Sequence, residues 1–231
     1  MGNGSLARSG ERPRGLALED LREQLRLRGV PLLRADDLSR PHEEAAPLDR
    51  SPLRDLPPGT LGEIVGPWSS GKTSLALAEV ARLTRRGEHA AVVDATGCIF
   101  PPALALLGAR LERILLLDAG ATAERATWAA EQVLRSGVFA LTVLIEPGRL
   151  PGSALRRLQL AAERAGSRGL VVRRWPNAEA LASLRLRVEP LPPRERPGSV
   201  FAAPPRRCRL QIGSRGAAGA APARWAEVAL S

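Results

Sequence analysis

Residues 60–87 read TLGEIVGPWSSGKTSLALAEVARLTRRG, and this stretch decides the fold. A short apolar run, Thr60 to Val65, enters Gly66-Pro67-Trp68-Ser69-Ser70-Gly71-Lys72-Thr73, and an amphipathic segment follows until Gly87 stops it. The middle is a full G-x-x-x-x-G-K-[ST] pattern between a strand and a helix, the context that a phosphate-binding loop requires. Gly66 and Gly71 let the backbone curl so that successive N–H groups point inward, and the helix N-terminus adds partial positive charge. Lys72 is expected to reach the β- and γ-phosphates and the Thr73 hydroxyl to hold Mg2+. Residues 66–74, ending at Ser74, form the expected nucleotide-binding set, with ATP and Mg2+ as cofactors.

Lys72 is the only lysine in a chain with 34 Lys and Arg together. A compact ammonium fits between phosphate oxygens where a planar guanidinium cannot follow. That the single lysine falls inside this pattern strengthens the reading.

Working outward, Ala90 to Asp94, Ile114 to Leu117, Leu141 to Glu146 and Leu170 to Val172 read as short apolar strands. Gly71 to Arg85, Pro101 to Gly108, Thr122 to Arg135 and Ser153 to Ala165 read as the helices between them. Such alternation predicts an α/β fold, a doubly wound and mostly parallel sheet flanked by helices. After Ala178 the runs 184–188, 207–212 and 224–230 alternate as strands do, which predicts antiparallel edge strands at the C-terminal end. Residues 190–205, with six prolines, read as a loop. The expected organisation is a disordered tail over 1–15, a helix and Pro- and charge-rich connector over 16–58, and a core over 59–231 with its antiparallel extension at 184–231. Leucines at 18, 21, 25 and 27 give residues 16–28 one apolar face. Packing on its own domain and docking on a partner or neighbouring subunit account for that face equally well.

Hydrophobic residues make up 44% of the chain but aromatics only 3%, with no Tyr, so Leu, Val and Ala must fill the core. No apolar stretch approaches the ~18 residues of a membrane span, and Met1 to Arg14 lacks the apolar run of a secretory signal. A cytoplasmic protein is expected. The formal charge of +10 favours polyanionic partners, yet an Arg-, Ala-, Gly- and Pro-rich coding bias explains it as well. Cys98 and Cys208 stand far apart without ligand spacing and read as reduced thiols. Ligands bind at the carboxyl edge of such sheets, where Asp94 and Glu146 end their strands. Glu146 is the Walker-B-like candidate, both as catalytic acid and, with Thr73, as a Mg2+ ligand.

The run from Leu56 to Gly97, LPPGTLGEIVGPWSSGKTSLALAEVARLTRRGEHAAVVDATG, resembles the RecA recombinase core. It shares the L-P-x-G entry, the E-I-x-G-P-x-S-S-G-K-T loop and the V-x-D-A strand end. Within that superfamily the short length and missing parts resemble the ImuA group, small RecA-like proteins encoded beside ImuB. The resemblance implies an ATP-binding accessory protein in DNA-damage tolerance and SOS translesion synthesis. Its implied partners are RecA or an ImuB-type error-prone polymerase complex, and its implied place is the bacterial cytoplasm, at the nucleoid when active. A small DNA-dependent ATPase acting on single-stranded DNA is the other function it implies.

Departures from the family pattern bear on activity. The family's D-A-E triplet is matched by Asp94-Ala95-Thr96, and Thr96 cannot act as a carboxylate base, so weak or absent hydrolysis is expected. Ala103 matches the adenine-stacking Tyr, and Glu146, one methylene longer, matches the Walker B Asp. Val171-Val172 runs through Arg173-Arg174-Trp175-Pro176-Asn177 into the next segment without the family's γ-phosphate-sensing Gln. Gly148 to Gly152 is a short link where the family has its first DNA loop, and the C-terminal DNA-gathering domain has no counterpart. DNA contact is therefore not carried over. From the residues themselves, Arg156, Arg157, Arg173, Arg174 and Trp175, with Arg149 and Arg168 nearby in sequence, form a candidate basic patch for single-stranded DNA or a partner. A solvated Arg-rich face with Trp175 as a packing residue is the plainer account.

Overall fold

A strand covered on both faces can be apolar throughout, and the apolar runs of this chain form such strands. The computed structural model describes residues 18–28, 32–33, 52–120, 122–176, 182–191, 206–216, 219–220 and 224–230. In chain order the elements are α1 (Leu18–Leu27), β1 (Leu32–Leu33), β2 (Leu61–Val65), α2 (Lys72–Arg85), β3 (Ala90–Asp94), α3 (Pro101–Leu106), β4 (Ile114–Asp118) and α4 (Ala123–Ser136). They continue with β5 (Leu141–Ile145), α5 (Gly152–Ala165), β6 (Arg168–Arg173), β7 (Leu184–Leu191), β8 (Arg206–Gly216), β9 (Gly219–Ala220) and β10 (Arg224–Leu230). Among the described residues these strands form one sheet in the order β1-β4-β3-β5-β6-β2-β7-β8-β10, with β9 on β8. The run from β4 to β7 is parallel; β1 at one end and β8 and β10 at the other pair antiparallel. The sequence-based expectation of a mostly parallel, helix-flanked sheet with antiparallel C-terminal strands matches this arrangement, except that residues 184–188, within β7, join β2 in parallel and pair antiparallel only with β8.

Two apolar layers cover the sheet. On one face α1, α4 and α5 pack over Leu61, Ala91, Val93, Leu115, Leu117, Leu144 and Val171. On the other, α2, α3 and the 3-10 turn Pro52–Asp55 pack over Ile64, Val92, Leu116, Val143, Ile145 and Val172. Alternate residues of each strand go to opposite layers, as pleating demands. Gly87 takes φ +85 just past α2, and its N–H reaches the Thr84 carbonyl at 3.0 Å. This is the left-handed helix stop its position predicts.

The structure answers the open question about α1. Leu21 and Leu25 are fully buried in the first layer, and the Arg28 guanidinium lies 4.5 Å from the Trp128 ring centre of α4. The helix packs on its own chain, while Leu27 on its outer side remains 78% exposed. Within the expected connector, β1 pairs with β4, Leu32 opposite Leu117 and Leu33 opposite Leu116. Two residues are too few for a readable period. The tail over 1–15 and most of the proline-rich loop, residues 192–205, lie outside the described residues. No helix among the described residues is long and apolar enough to cross a membrane.

Cys98 is exposed, whereas Cys208 on β8 is fully buried, and burial pushes the Cys208 thiol pKa up. Titration of the native chain with an aromatic disulfide reagent should show one fast thiol, lost in Cys98→Ser, and a second that reacts only on unfolding. Two equally fast thiols would contradict the packing of β8 on the core.

Candidate functional site

The parallel register gathers the chemistry. Val65 stands opposite Arg173, Ile145 opposite Val172, and Asp94 opposite Ile145 and Asp118. The loops after β2, β3, β5 and β6 therefore leave the sheet side by side at its carboxyl edge. Gly66 to Gly71, Ala95 to Phe100, Glu146 to Pro151 and Arg174 to Pro176 all emerge there.

Gly66 is held to β6 by its N–H, which donates to the Arg173 carbonyl at 3.2 Å. A Cβ at this position would lie 2.6 Å from Ser70 Oγ and 2.7 Å from the Val188 carbonyl oxygen, so no other residue fits without displacement. Gly71 adopts φ +90 and begins α2 without any side-chain cap, which leaves the first-turn N–H groups without intrahelical acceptors. Lys72, only 3% exposed, donates from Nζ to the Pro67 carbonyl at 3.2 Å and stands 2.8 Å from Glu146 Oε1. The Trp68 ring centre lies 4.9 Å from the same ammonium. Ser70 Oγ is buried and has no hydrogen-bond partner among the described residues.

Among the described residues, the two non-glycine positions with positive φ, Ser69 at +60 and Glu146 at +46, both belong to this edge. Such backbone costs on the order of 1–3 kcal/mol each and persists where its surroundings enforce it. The Glu146 N–H donates to the Val172 carbonyl at 2.7 Å, which ties the residue to β6. Both oxygens of Asp94 accept hydrogen bonds. Its Oδ1 accepts from the Thr96 N–H at 2.8 Å and the Thr96 hydroxyl at 2.7 Å, and Oδ2 accepts from the Ile99 N–H at 2.7 Å. Thr96 thus serves as a brace of the loop after β3. The sequence reading registered only the carboxylate it lacks.

The residues fit a polyphosphate with a hard divalent cation. The curled loop admits no Cβ at Gly66, an orphaned hydroxyl is buried at Ser70, and a single ammonium stands at its centre. Thr73, half-buried in the first turn of α2, and Glu146 supply the oxygen donors such a cation takes, while the oxygens of Asp94 are already committed. Pro67, Trp68, Ser69 and Ser74 are exposed around the loop.

The expected basic patch is dispersed. Arg173 is not part of an exposed surface, because Glu63 on β2 captures it: both are 3% exposed, and the Arg173 guanidinium pairs with Glu63 Oε1. Arg185 on β7 donates to Glu63 Oε2 at 2.8 Å. Arg157 on α5 is held by Glu131 of α4 at 3.2 Å, Arg168 by the Ala140 carbonyl at 3.1 Å, and Arg149 and Arg156 are exposed. Arg174 and Trp175 remain at the edge, joined by a residue the patch reading left out. The Arg174 guanidinium lies 4.7 Å from the Trp175 ring centre and 5.9 Å from that of Trp68, and both rings are 57% exposed. Sequence reasoning also missed Glu63, although a carboxylate inside the apolar run Leu61 to Val65 was a visible signal of a buried partner.

Residues 52–150 match the family model of the RecA N-terminal domain. Protein RecA of Prochlorococcus marinus (strain MIT 9211) is 36% identical over 143 residues, 60% of this chain and 39% of that protein. Protein RecA of Brevibacillus brevis (strain 47 / JCM 6285 / NBRC 100599) is 41% identical over 89 residues, 38% of this chain and 25% of that protein. The chain thus spans well under half the length of the RecA proteins it matches. The crystal structure of the RadB recombinase superposes with a TM-score of 0.51 at 17% identity, covering 74% of this chain and 87% of that one, a likeness of fold. Together the matches support a RecA-like core.

Two substitutions separate the forces at this edge. Glu63→Ala strands the buried Arg173 guanidinium and should cost about 3–5 kcal/mol, whereas Arg185→Ala, at a side chain 38% exposed, should cost under about 1 kcal/mol. Gly66→Ala should cost about 1–3 kcal/mol through overpacking against Ser70 and Val188. Urea unfolding of the three variants beside the parent chain reads all these values, and equal losses for Glu63→Ala and Arg185→Ala would contradict the ion-pair geometry.

Proposed function

We propose that this chain is an ATP-binding, RecA-like accessory protein of DNA-damage tolerance that holds or senses nucleotide and turns it over slowly or not at all. The observation that carries the reading is the pairing of a complete phosphate loop with an occupied acid position. Gly66, Gly71, Lys72 and Thr73 offer every part a Mg2+-nucleotide needs, while the loop after β3 offers Thr96, whose hydroxyl is bound to Asp94 at 2.7 Å. A hydroxyl so engaged is no general base, and losing such a base lowers rates by about 10²–10⁴. In this reading Lys72 and the first-turn N–H groups bind the phosphates, and Thr73 with Glu146 holds the metal. The role in SOS translesion synthesis, with RecA or an ImuB-type polymerase complex as partner at the nucleoid, rests on the ImuA resemblance.

One observation favours the second reading, a small ATPase acting on single-stranded DNA. Trp68, Arg174 and Trp175 form an exposed array of two indoles around a guanidinium beside the loop, and aromatic rings with arginine are what unpaired bases stack on. ATP binding and turnover, measured with and without single-stranded DNA, distinguish the two. The accessory reading expects nucleotide binding that Lys72→Ala abolishes and turnover that DNA leaves unchanged. Robust DNA-stimulated hydrolysis, lost in Lys72→Ala, would establish the ATPase instead, and Arg174→Ala with Trp175→Ala should then remove the stimulation.

A further inference from the structure

An ammonium has three protons to give, and three groups already stand close around Lys72 Nζ. The Pro67 carbonyl accepts at 3.2 Å, Glu146 Oε1 stands at 2.8 Å, and the Trp68 ring faces it at 4.9 Å. A phosphate oxygen reaching the ammonium competes with these contacts. Glu146 is the decisive holder, because it alone brings a full opposite charge, with side chains 3% and 10% exposed across the pair. Water screens such a pair little. Glu146 in turn depends on Lys72: among the described residues its buried Oε1 accepts no hydrogen bond, and the ion pair with Lys72 compensates its charge. The left-handed backbone at Glu146, φ +46, and its N–H bond to Val172 fix the place from which the side chain reaches the loop.

We infer that Glu146 is an internal lock on the phosphate cradle, released when its carboxylate turns from Lys72 to a divalent cation. This rests on the nucleotide-site reading above and adds a regulation to it. A polyphosphate alone can compensate Lys72 but leaves Glu146 as an uncompensated, nearly buried anion beside further negative charge, which is strongly disfavoured. With a cation present, the carboxylate and the ammonium each gain a new partner in one exchange. Nucleotide and metal therefore bind as a coupled pair, and the coupling runs equally in both directions. The sign of one substitution separates this lock from an ordinary metal ligand. Losing a ligand alone weakens nucleotide binding, whereas losing the lock strengthens binding in the absence of metal.

The full chain provides two readouts. Binding of a fluorescent ATP analogue is measured in excess Mg2+ and in excess EDTA for the parent, Glu146→Gln and Lys72→Ala, with thermal melts to confirm folding. The parent should lose affinity in EDTA, and Glu146→Gln in EDTA should bind at least about fivefold more tightly than the parent in EDTA. Equal or weaker binding by Glu146→Gln in EDTA overturns the lock. The second readout needs no nucleotide. Because Lys72 is the only lysine, an amine-acylating reagent followed by peptide mass spectrometry reports its freedom directly, and Glu146→Gln should acylate several-fold faster than the parent. Unchanged acylation overturns the lock even if nucleotide binds. Faster acylation in Glu146→Gln, without nucleotide binding by any form, supports the lock and overturns the nucleotide-site reading alone.

Discussion

Parallel strands must be covered on both faces, and their carboxyl ends then leave the sheet together. That constraint places every group of chemical interest in this chain. It sets the loop after β2 beside the end of β6, so that the Gly66 N–H meets the Arg173 carbonyl. It brings Glu146, at the end of β5, across β6 to the start of α2, where it meets Lys72. One charged group lies deep inside a strand of the core. Glu63, inside β2 and 3% exposed, holds Arg173 of β6 and Arg185 of β7. This triad fastens together β2, β6 and β7, the strands beside the phosphate loop.

How much of this was legible depended on the reach of each signal. The strand, loop and helix around Lys72 are contiguous, so their pattern carried both the fold and the candidate site. The apolar strands after them were legible because burial on both faces leaves a run of Val, Leu and Ala that no exposed segment keeps. Arg173 was misplaced because its partner lies 110 residues away, and a basic run after a strand looks alike whether its first member is buried or free. Residues 18–27 showed an apolar face, but periodicity says nothing of what covers it; Leu21 and Leu25 against α4 do. Thr96 was legible as a lost carboxylate, while its hydroxyl bond to Asp94 depends on a turn that spacing alone does not specify.

The edge divides into a closed half and an open half. In the closed half, charges are matched inside the protein: Lys72 by Glu146, Arg173 by Glu63, and Asp94 by Thr96 and Ile99. In the open half, Trp68, Arg174 and Trp175 present two rings and a cation to solvent. Trp68 belongs to both, with one ring near Lys72 on the closed side and near Arg174 on the open side. The Trp68 ring thus borders both the ammonium and the exposed aromatic surface without passing through the core.

The margins of the sheet carry a different consequence. A long sheet presents unpaired backbone at its rims, which invites pairing with other chains. Among the described residues one rim is the two-residue β1, which offers little backbone for a neighbour to pair with. The other is β10, whose sequence RWAEVAL places Arg224 and Glu227 among its apolar residues. A brief strand at one margin and charged residues in the sequence of the strand at the other are features by which β-rich proteins limit edge-to-edge pairing; the sheet that assembles the site carries both.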